Sequence, residues 1–144
     1  MDFGDFFLRS WQTWAYGGLV VLNLVSALLS RNRKLEIGAY YISFAWILGV
    51  FITFSFSGRT ETFTLVSIDF IVMVLLYRLA DNFADWAGYV FFILVFQFFL
   101  HLLVIAFPAQ FGGYAWLLNL GFITFNVIMI YASSVRIVRR YRAQ

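Results

Sequence analysis

The stretch SIDFIVMVLL, residues 67–76, places one carboxylate, that of Asp69, inside an apolar run. If this run crosses a bilayer, an ionised side chain at that position is far from bulk water. An Asp near the centre of a membrane span costs roughly 2.5 to 3.5 kcal/mol on insertion scales. Whether the run is a span therefore decides how many times the chain crosses the membrane and on which side every loop lies.

The rest of the chain is equally apolar. Hydrophobic residues make up 63% of its 144 residues, charged residues 12%, and the mean hydropathy is +0.87. A soluble domain carries about 25% charged residues. The composition therefore predicts a single integral membrane domain over residues 1–144. The lack of cysteine excludes disulfides, thiolate metal sites and cysteine nucleophiles.

Five apolar segments separated by short polar breaks have the length of membrane spans. A bilayer core of about 30 Å takes about 20 helical residues. The pattern predicts an all-α, polytopic transmembrane helical bundle of five spans, at residues 11–30, 37–56, 63–80, 86–107 and 114–134. The breaks are short enough to make consecutive helices antiparallel neighbours.

The start of the chain has its own pattern. Phe3, Phe6 and Phe7 recur at helical spacing among charged residues, which predicts a short amphipathic lead-in over residues 1–10. Trp14 and Tyr16 follow at the beginning of the first span and are expected to anchor it as part of an aromatic belt.

Positive charge decides the status of the third span. With five spans and the N-terminus outside, eight of the ten Lys and Arg residues are cytoplasmic, and only Arg9 and Arg59 are outside. Without the third span the count is three inside and seven outside, against the positive-inside tendency. The sequence thus predicts an N-out, C-in protein with a basic cytoplasmic tail at residues 135–144.

Four polar side chains are expected at one depth of the outer leaflet. Asp69 lies about six residues, or roughly 9 Å, below the outer boundary of the third span, and His101 lies at nearly the same depth in the fourth. Gln97 is one helical turn from His101 on the same face, and Asn119 is near the start of the fifth span. These side chains form a predicted intramembrane polar layer.

Two interpretations of this layer stay open. Polar side chains inside bundles often serve as interhelical hydrogen bonds, which require no transport function. A site that passes or senses protons or cations is the second interpretation, since an intramembrane ionisable residue is a functional candidate and histidine switches near neutral pH. Haem ligation by His101 is a weaker hypothesis, because one histidine per chain would need a symmetric partner. Neither a cofactor nor a metal is predicted.

A second polar pattern predicts helix packing. Asn119, Asn126 and Ser133 recur every seven residues in the fifth span, the spacing that keeps one seam facing one neighbour. The first span carries polar and small residues at matching depth, so these two spans are expected to contact each other, within one chain or between chains. In the second span, two small residues permit close approach. The predicted packing stripe consists of Asn23, Ser26, Ala45, Gly49, Asn126 and Ser133.

The remaining charges are expected to lie at the membrane surface. Asp81 and Asp85 are interpreted as helix caps, with an Arg78–Asp81 pair, because a divalent ion needs more oxygen ligands. The tail is expected to attract anionic lipid headgroups at about 1 kcal/mol per charge. Nucleic acid is not predicted as a partner. The predicted headgroup-binding residues are Arg136, Arg139, Arg140 and Arg142.

The sequence argues against an enzyme. It contains no phosphate-binding glycine loop and no nucleophile beside a base, and its sole lysine, Lys34, lies in a loop where it could not hold retinal. The leading prediction is a structural or assembly subunit of an oligomeric membrane complex, in a bacterial inner membrane or a phage or virus membrane. Its partners would be the lipid bilayer and copies of itself or other membrane subunits. The alternatives are a homo-oligomeric proton or cation channel or transporter that uses the polar layer, and a holin-like lytic pore former.

Overall fold

The computed structural model of the protein describes residues 11–56, 59–80, 85–107 and 114–143. These residues form five helices, which confirms the predicted all-α class and the number of helices. The predicted lead-in over residues 1–10 lies outside the described residues. The helices are α1 (Trp11–Ser30), α2 (Arg33–Ser55), α3 (Arg59–Leu79), α4 (Trp86–Ala106) and α5 (Tyr114–Arg142).

Four of these helices are long and apolar enough to cross a membrane. The qualifying segments are Thr13–Ser30, Arg33–Ser55, Trp86–Ala106 and Asn119–Arg142. The chain is therefore a small multi-pass helical membrane protein. Within the described residues, α3 is not among the four. Its crossing of the bilayer, and with it the predicted orientation, stays a prediction.

The outer surface of the bundle is built from large apolar side chains. Phe44 on α2 is 67% exposed and Phe99 on α4 is 58% exposed. Such a surface is unfavourable in water and suits hydrocarbon, where apolar side chains on a spanning helix face lipid. The fold therefore places its rings outward as well as inward.

α2 begins before the apolar segment that is predicted as the second span. The helix begins at Arg33 and not at residue 37, because Asn32 caps it. The Asn32 side chain accepts hydrogen bonds from the backbone N–H groups of Lys34 and Leu35, each at 3.1 Å. Arg31 has a φ of 51°, a left-handed conformation that reverses the chain between α1 and α2. Charged residues thus extend the helix beyond its apolar part.

Removal of this cap is expected to destabilise the protein. Asn32→Ala leaves the N–H groups of Lys34 and Leu35 without their acceptor, which should lower the free energy of unfolding by about 1 kcal/mol. Thermal unfolding in mild detergent measures the change. Asn32→Asp keeps an acceptor oxygen and is the control; equal loss in both variants would contradict the capping argument.

Two other helices also extend beyond their predicted spans. α3 begins at Arg59 and not at residue 63, and α5 continues to Arg142 although its span was predicted to end at residue 134. The polar flanking residues thus extend both helices beyond the apolar segments. The predicted tail is therefore mostly helical. Its extension past residue 134 adds about 12 Å at 1.5 Å per residue.

The five helices form a closed ring. Each helix packs against the next in the chain, and α5 returns to pack against α1. Contacts between α3 and α4 pair Phe70 with Phe98 and Tyr77 with Phe91, so these two helices are antiparallel. On α1 and α5, Tyr16 contacts Phe122 and Asn23 contacts Asn126, so these two are parallel. A ring with an odd number of alternating helices must contain one such parallel pair.

One end of the ring is filled by tightly packed side chains. They come from the last turns of α1 and α3, the first turns of α2 and α4, and the middle of α5. Because neighbouring helices alternate in direction, these positions share the end of the bundle that contains the α1–α2 turn. We call this end the packed half. Its fully buried side chains include those of Ala27, Leu35, Leu76, Val90 and Met129, each 0% exposed.

Candidate functional site

A cavity of about 450 Å³ lies at the opposite end of the ring from the packed half. All five helices line it, and we call it the central cavity. Its volume is within the range of about 300 to 1,000 Å³ that is typical of small-molecule sites. The polar side chains around it include those of Thr13, Thr53, Asp69, Gln97, His101 and Asn119.

Asp69 and His101 contact each other across the cavity wall. The Nδ1 atom of His101 lies 2.9 Å from the Oδ2 atom of Asp69, and the side chains are 9% and 24% exposed respectively. The distance is that of an ion pair when His101 is protonated. Asp69 occupies the middle of α3 and His101 the last turns of α4, and antiparallel packing brings these positions to one level. The acid in the middle of α3 thus has an imidazole beside it.

Gln97 and Asn119 line the same cavity. Gln97 is 6% exposed, and its side chain lies directly on Gly121 of α5. A Cβ atom added at Gly121 would be 2.8 Å from the Gln97 Nε2 atom, so only glycine permits this arrangement. The structure therefore brings the four residues of the predicted polar layer around one space.

Aromatic residues complete the walls of the central cavity. Tyr16, Trp46, Phe122 and Phe125 all line it. The rings of Tyr16 and Phe122 are 5.3 Å apart, and those of Phe122 and Phe125 are 5.1 Å apart. Tyr16, expected only as a belt anchor, thus contributes to the site. Trp46, Gly49 and Thr53 recur at helical spacing, which places them on one face of α2. This spacing was the sequence signal for their place on the cavity wall; residue depth alone did not indicate it.

The α1–α5 contact is a buried polar seam. Asn23 Nδ2 donates to Asn126 Oδ1 at 2.8 Å and lies 3.6 Å from the sulfur of Met129. Asn126 Nδ2 donates in turn to the carbonyl of Phe122 at 2.9 Å. The predicted contact between the first and fifth helices is therefore formed within one chain. Ser133, on the same face, is 0% exposed, and its hydroxyl has no hydrogen-bond partner among the described residues.

The other members of the predicted packing stripe have different surroundings. Ser26 donates to the carbonyl of Asn23 at 2.9 Å, within its own helix. Ala45 packs at the edge of the core, and Gly49 lines the cavity. A Cβ at Gly49 would meet Leu65 at 3.8 Å, an ordinary contact, so close helix approach does not depend on this glycine. Among the described glycines, Gly38 has the tightest surroundings, and the sequence pattern did not identify it.

The predicted surface charges lie at the end of the bundle that contains the packed half. All four tail arginines are exposed on α5, between Arg136 and Arg142. Asp85 caps α4 and accepts a hydrogen bond from the N–H of Gly88 at 3.0 Å. Asp81, and with it the expected pair with Arg78, lies outside the described residues. In the described part of the chain, no three His, Cys, Asp or Glu side chains form a group that could hold a metal ion.

Comparison with known proteins provides no precedent for this arrangement. No protein-family model matches the chain, and no curated protein or solved structure resembles it at a significant level. The residues around the central cavity are therefore the basis for a functional proposal.

Proposed function

We propose that this small multi-pass membrane protein is a non-enzymatic carrier that holds a proton or a small cation at the Asp69–His101 pair. One observation supports this most directly: the two ionisable side chains are 2.9 Å apart on the wall of a cavity of about 450 Å³. A cluster that served only to fasten helices together would pack without such a space. A carboxylate beside an imidazole offers two polar groups that can hold a proton or a cation between them, and an ionisable residue inside a membrane bundle is a functional candidate.

A carrier fits the bundle better than an open channel does. The packed half is filled by residues such as Leu35, Leu76 and Met129, which are 0% exposed. The cavity therefore extends into one end of the ring while side chains close the other. Carriers expose one site to the two sides in turn, whereas a channel needs a continuous path. One chain forms the cavity, so the binding step does not require a second copy, although the carrier could still be an oligomer.

The orientation follows from the charges at the two ends. The basic residues of the α1–α2 turn, Arg78 at the end of α3 and the α5 arginines share the end opposite the cavity. By the positive-inside tendency, that end is cytoplasmic, α3 is a fifth span, and the cavity faces outward. The α5 extension then brings its arginines to anionic lipid headgroups of a bacterial inner membrane or a virion membrane. Because the chain has no cysteine, single-cysteine labelling at each end tests this topology.

The structural-subunit hypothesis has less specific support. It relies on the exposed aromatic and aliphatic surface, which any protein in a bilayer presents. A holin-like pore would need polar faces turned towards other copies, whereas the polar layer of this chain faces its own cavity. The carrier is therefore the function that the geometry favours.

Asp69→Asn is expected to abolish proton or cation flux. The variant keeps the size of the side chain and removes the negative charge that stabilises a bound cation beside His101. Flux is measured in liposomes that enclose a pH-sensitive or cation-sensitive dye, with the purified full chain inserted. Glu61→Gln, which removes one carboxylate from the same helix away from the cavity, is the matched control.

The outcomes separate the hypotheses. Loss of flux in Asp69→Asn, with unchanged flux in Glu61→Gln and unchanged elution in detergent, supports the carrier. No flux from the native chain in liposomes, together with a stable complex recovered in mild detergent, favours the structural subunit instead. A sudden, delayed loss of membrane potential in expressing cells would point to the lytic pore former.

A further inference from the structure

The walls of the central cavity combine one carboxylate with several aromatic rings. Asp69 provides the carboxylate, and the rings of Tyr16, Trp46, Phe122 and Phe125 surround the same space. The face of an aromatic ring carries partial negative charge, and a cation within about 6 Å of it is attracted. Rings next to a single acid thus form an environment for a positively charged group that also carries apolar surface.

An inorganic cation is a poorer match for these walls. Ca²⁺ takes about 6 to 8 oxygen ligands and Mg²⁺ requires near-octahedral oxygen coordination. The cavity offers one carboxylate, that of Asp69, with the amide oxygens of Gln97 and Asn119; the hydroxyls of Thr13, Tyr16 and Thr53 are its other side-chain oxygens, and the remaining lining is largely rings and aliphatic side chains. The described residues contain no group of three ionisable metal ligands. A volume of about 450 Å³ is also far larger than a single ion occupies.

We propose that the central cavity binds a lipophilic organic cation, an amine or quaternary ammonium compound that carries an aromatic body. Its positively charged nitrogen lies beside Asp69, and its apolar body lies between Trp46 and Phe122. This inference rests on the proposed carrier function and names the chemical class that the carrier takes.

Charge balance predicts that such a cation displaces a proton. The titratable side chains among the described cavity residues are those of Tyr16, Asp69 and His101; α2 and α5 contribute none. A carboxyl group and an imidazole that share one proton have no net charge together. A cation that entered while this proton stayed would add an uncompensated positive charge to a poorly hydrated space, which is costly. Binding of the cation is therefore accompanied by release of the proton.

The test compares three probes on the purified full chain by titration calorimetry. Benzyltrimethylammonium has both the charge and the ring, neopentylbenzene is its neutral isostere, and tetramethylammonium has the charge alone. We expect benzyltrimethylammonium to bind most tightly and to release about one proton per cation, read as a dependence of the binding heat on the buffer. Because this comparison uses the native chain, it does not depend on the folding of any variant.

Variants then assign the contacts. Asp69→Asn is expected to weaken benzyltrimethylammonium binding by about tenfold or more, because the variant removes the negative charge beside the quaternary nitrogen, which has no N–H to donate. Trp46→Leu is expected to weaken it by about three- to thirtyfold, the range of a cation–π contact. Two controls should bind as the native chain does: Glu61→Gln removes a carboxylate elsewhere on α3, and Phe44→Leu removes a ring from the outer face of α2.

Three results would overturn the inference. Equal binding of neopentylbenzene, unaffected by Asp69→Asn, would show an apolar pocket that takes lipid or detergent. Equal binding of tetramethylammonium, unaffected by Trp46→Leu, would show a cation site without an aromatic contribution. If no probe binds while Asp69-dependent proton flux persists in liposomes, the organic-cation inference fails and the carrier proposal stands. If the native chain shows neither flux nor binding, both fail.

Discussion

Gly38→Leu is expected to lower the free energy of unfolding by about 3 kcal/mol, because the packed half has no space for a side chain at this position. A Cβ atom built on Gly38 would be 2.6 Å from the Cη2 atom of Trp86 and 3.2 Å from the Cε atom of Met129. The methyl of Met129 can move, but the indole of Trp86 is rigid and begins α4, next to the buried Ala87. A leucine must therefore separate α2 from α4.

Gly18→Leu is the matched control for this prediction. Gly18 is also helical, but a Cβ there would have nothing within 4 Å. Leucine gains about 0.8 kcal/mol of helix propensity over glycine, so this variant should be as stable as the native protein or slightly more stable. Unfolding in mixed micelles with increasing fractions of a denaturing detergent measures both variants. If the two behave alike, the contact of Trp86 with Gly38 does not hold α2 against α4.

The helices could be predicted because membrane spans have a simple requirement. A bilayer needs about 20 consecutive apolar residues, and the chain supplies such segments between short polar breaks. α1 begins and ends at the predicted residues 11 and 30, and α4 ends one residue before the predicted residue 107. The apolar pattern could not locate the start of α2, because Asn32 and the charged residues after it extend the helix beyond the apolar segment.

Only the depth of the candidate site along the helix axes could be predicted from the sequence. Residue counting gives the depth of Asp69, Gln97, His101 and Asn119, and the structure places them around one cavity. Depth does not give the direction in which each helix face points, because rotation about the helix axis depends on packing with neighbours. The rotation of each helix about its axis determines three features of the structure. These are the position of Trp46 on the cavity wall, the close contact of Trp86 with Gly38, and the packing of Gln97 on Gly121. Only the packing of the five helices in the structure determines them.

Asn126→Leu is expected to lower the free energy of unfolding by about 2 kcal/mol. The size of this decrease should depend on whether Asn23 is present. The native Asn23 Nδ2 atom donates to Asn126 Oδ1 at 2.8 Å within a contact where both residues are at most 1% exposed. Without Asn126, the amide of Asn23 loses its oxygen acceptor and stays buried in an apolar seam. Leaving a buried donor without its acceptor costs about 1 to 3 kcal/mol.

Asn23→Leu should cost less than Asn126→Leu, because Asn126 keeps its bond from Nδ2 to the carbonyl of Phe122 at 2.9 Å. The double variant replaces both amides by apolar groups of similar size, so it should be more stable than the sum of the two single losses predicts. A coupling of about 0.6 to 2 kcal/mol is expected from such a cycle. Ser133→Ala is the control in the same seam: its buried hydroxyl has no partner among the described residues, so its removal should be neutral or stabilising.

Additive losses in this cycle would mean that the α1–α5 seam is held by apolar packing and not by its amides. The distinction matters for a carrier, because α1 and α5 form the parallel pair that closes the ring. A single buried amide pair fixes the register of two parallel helices, as polar residues do in coiled coils. A seam of that kind keeps its register when neighbouring helices shift. A seam held by apolar contacts alone could slide, and the cavity walls contributed by Tyr16 and Phe122 would slide with it.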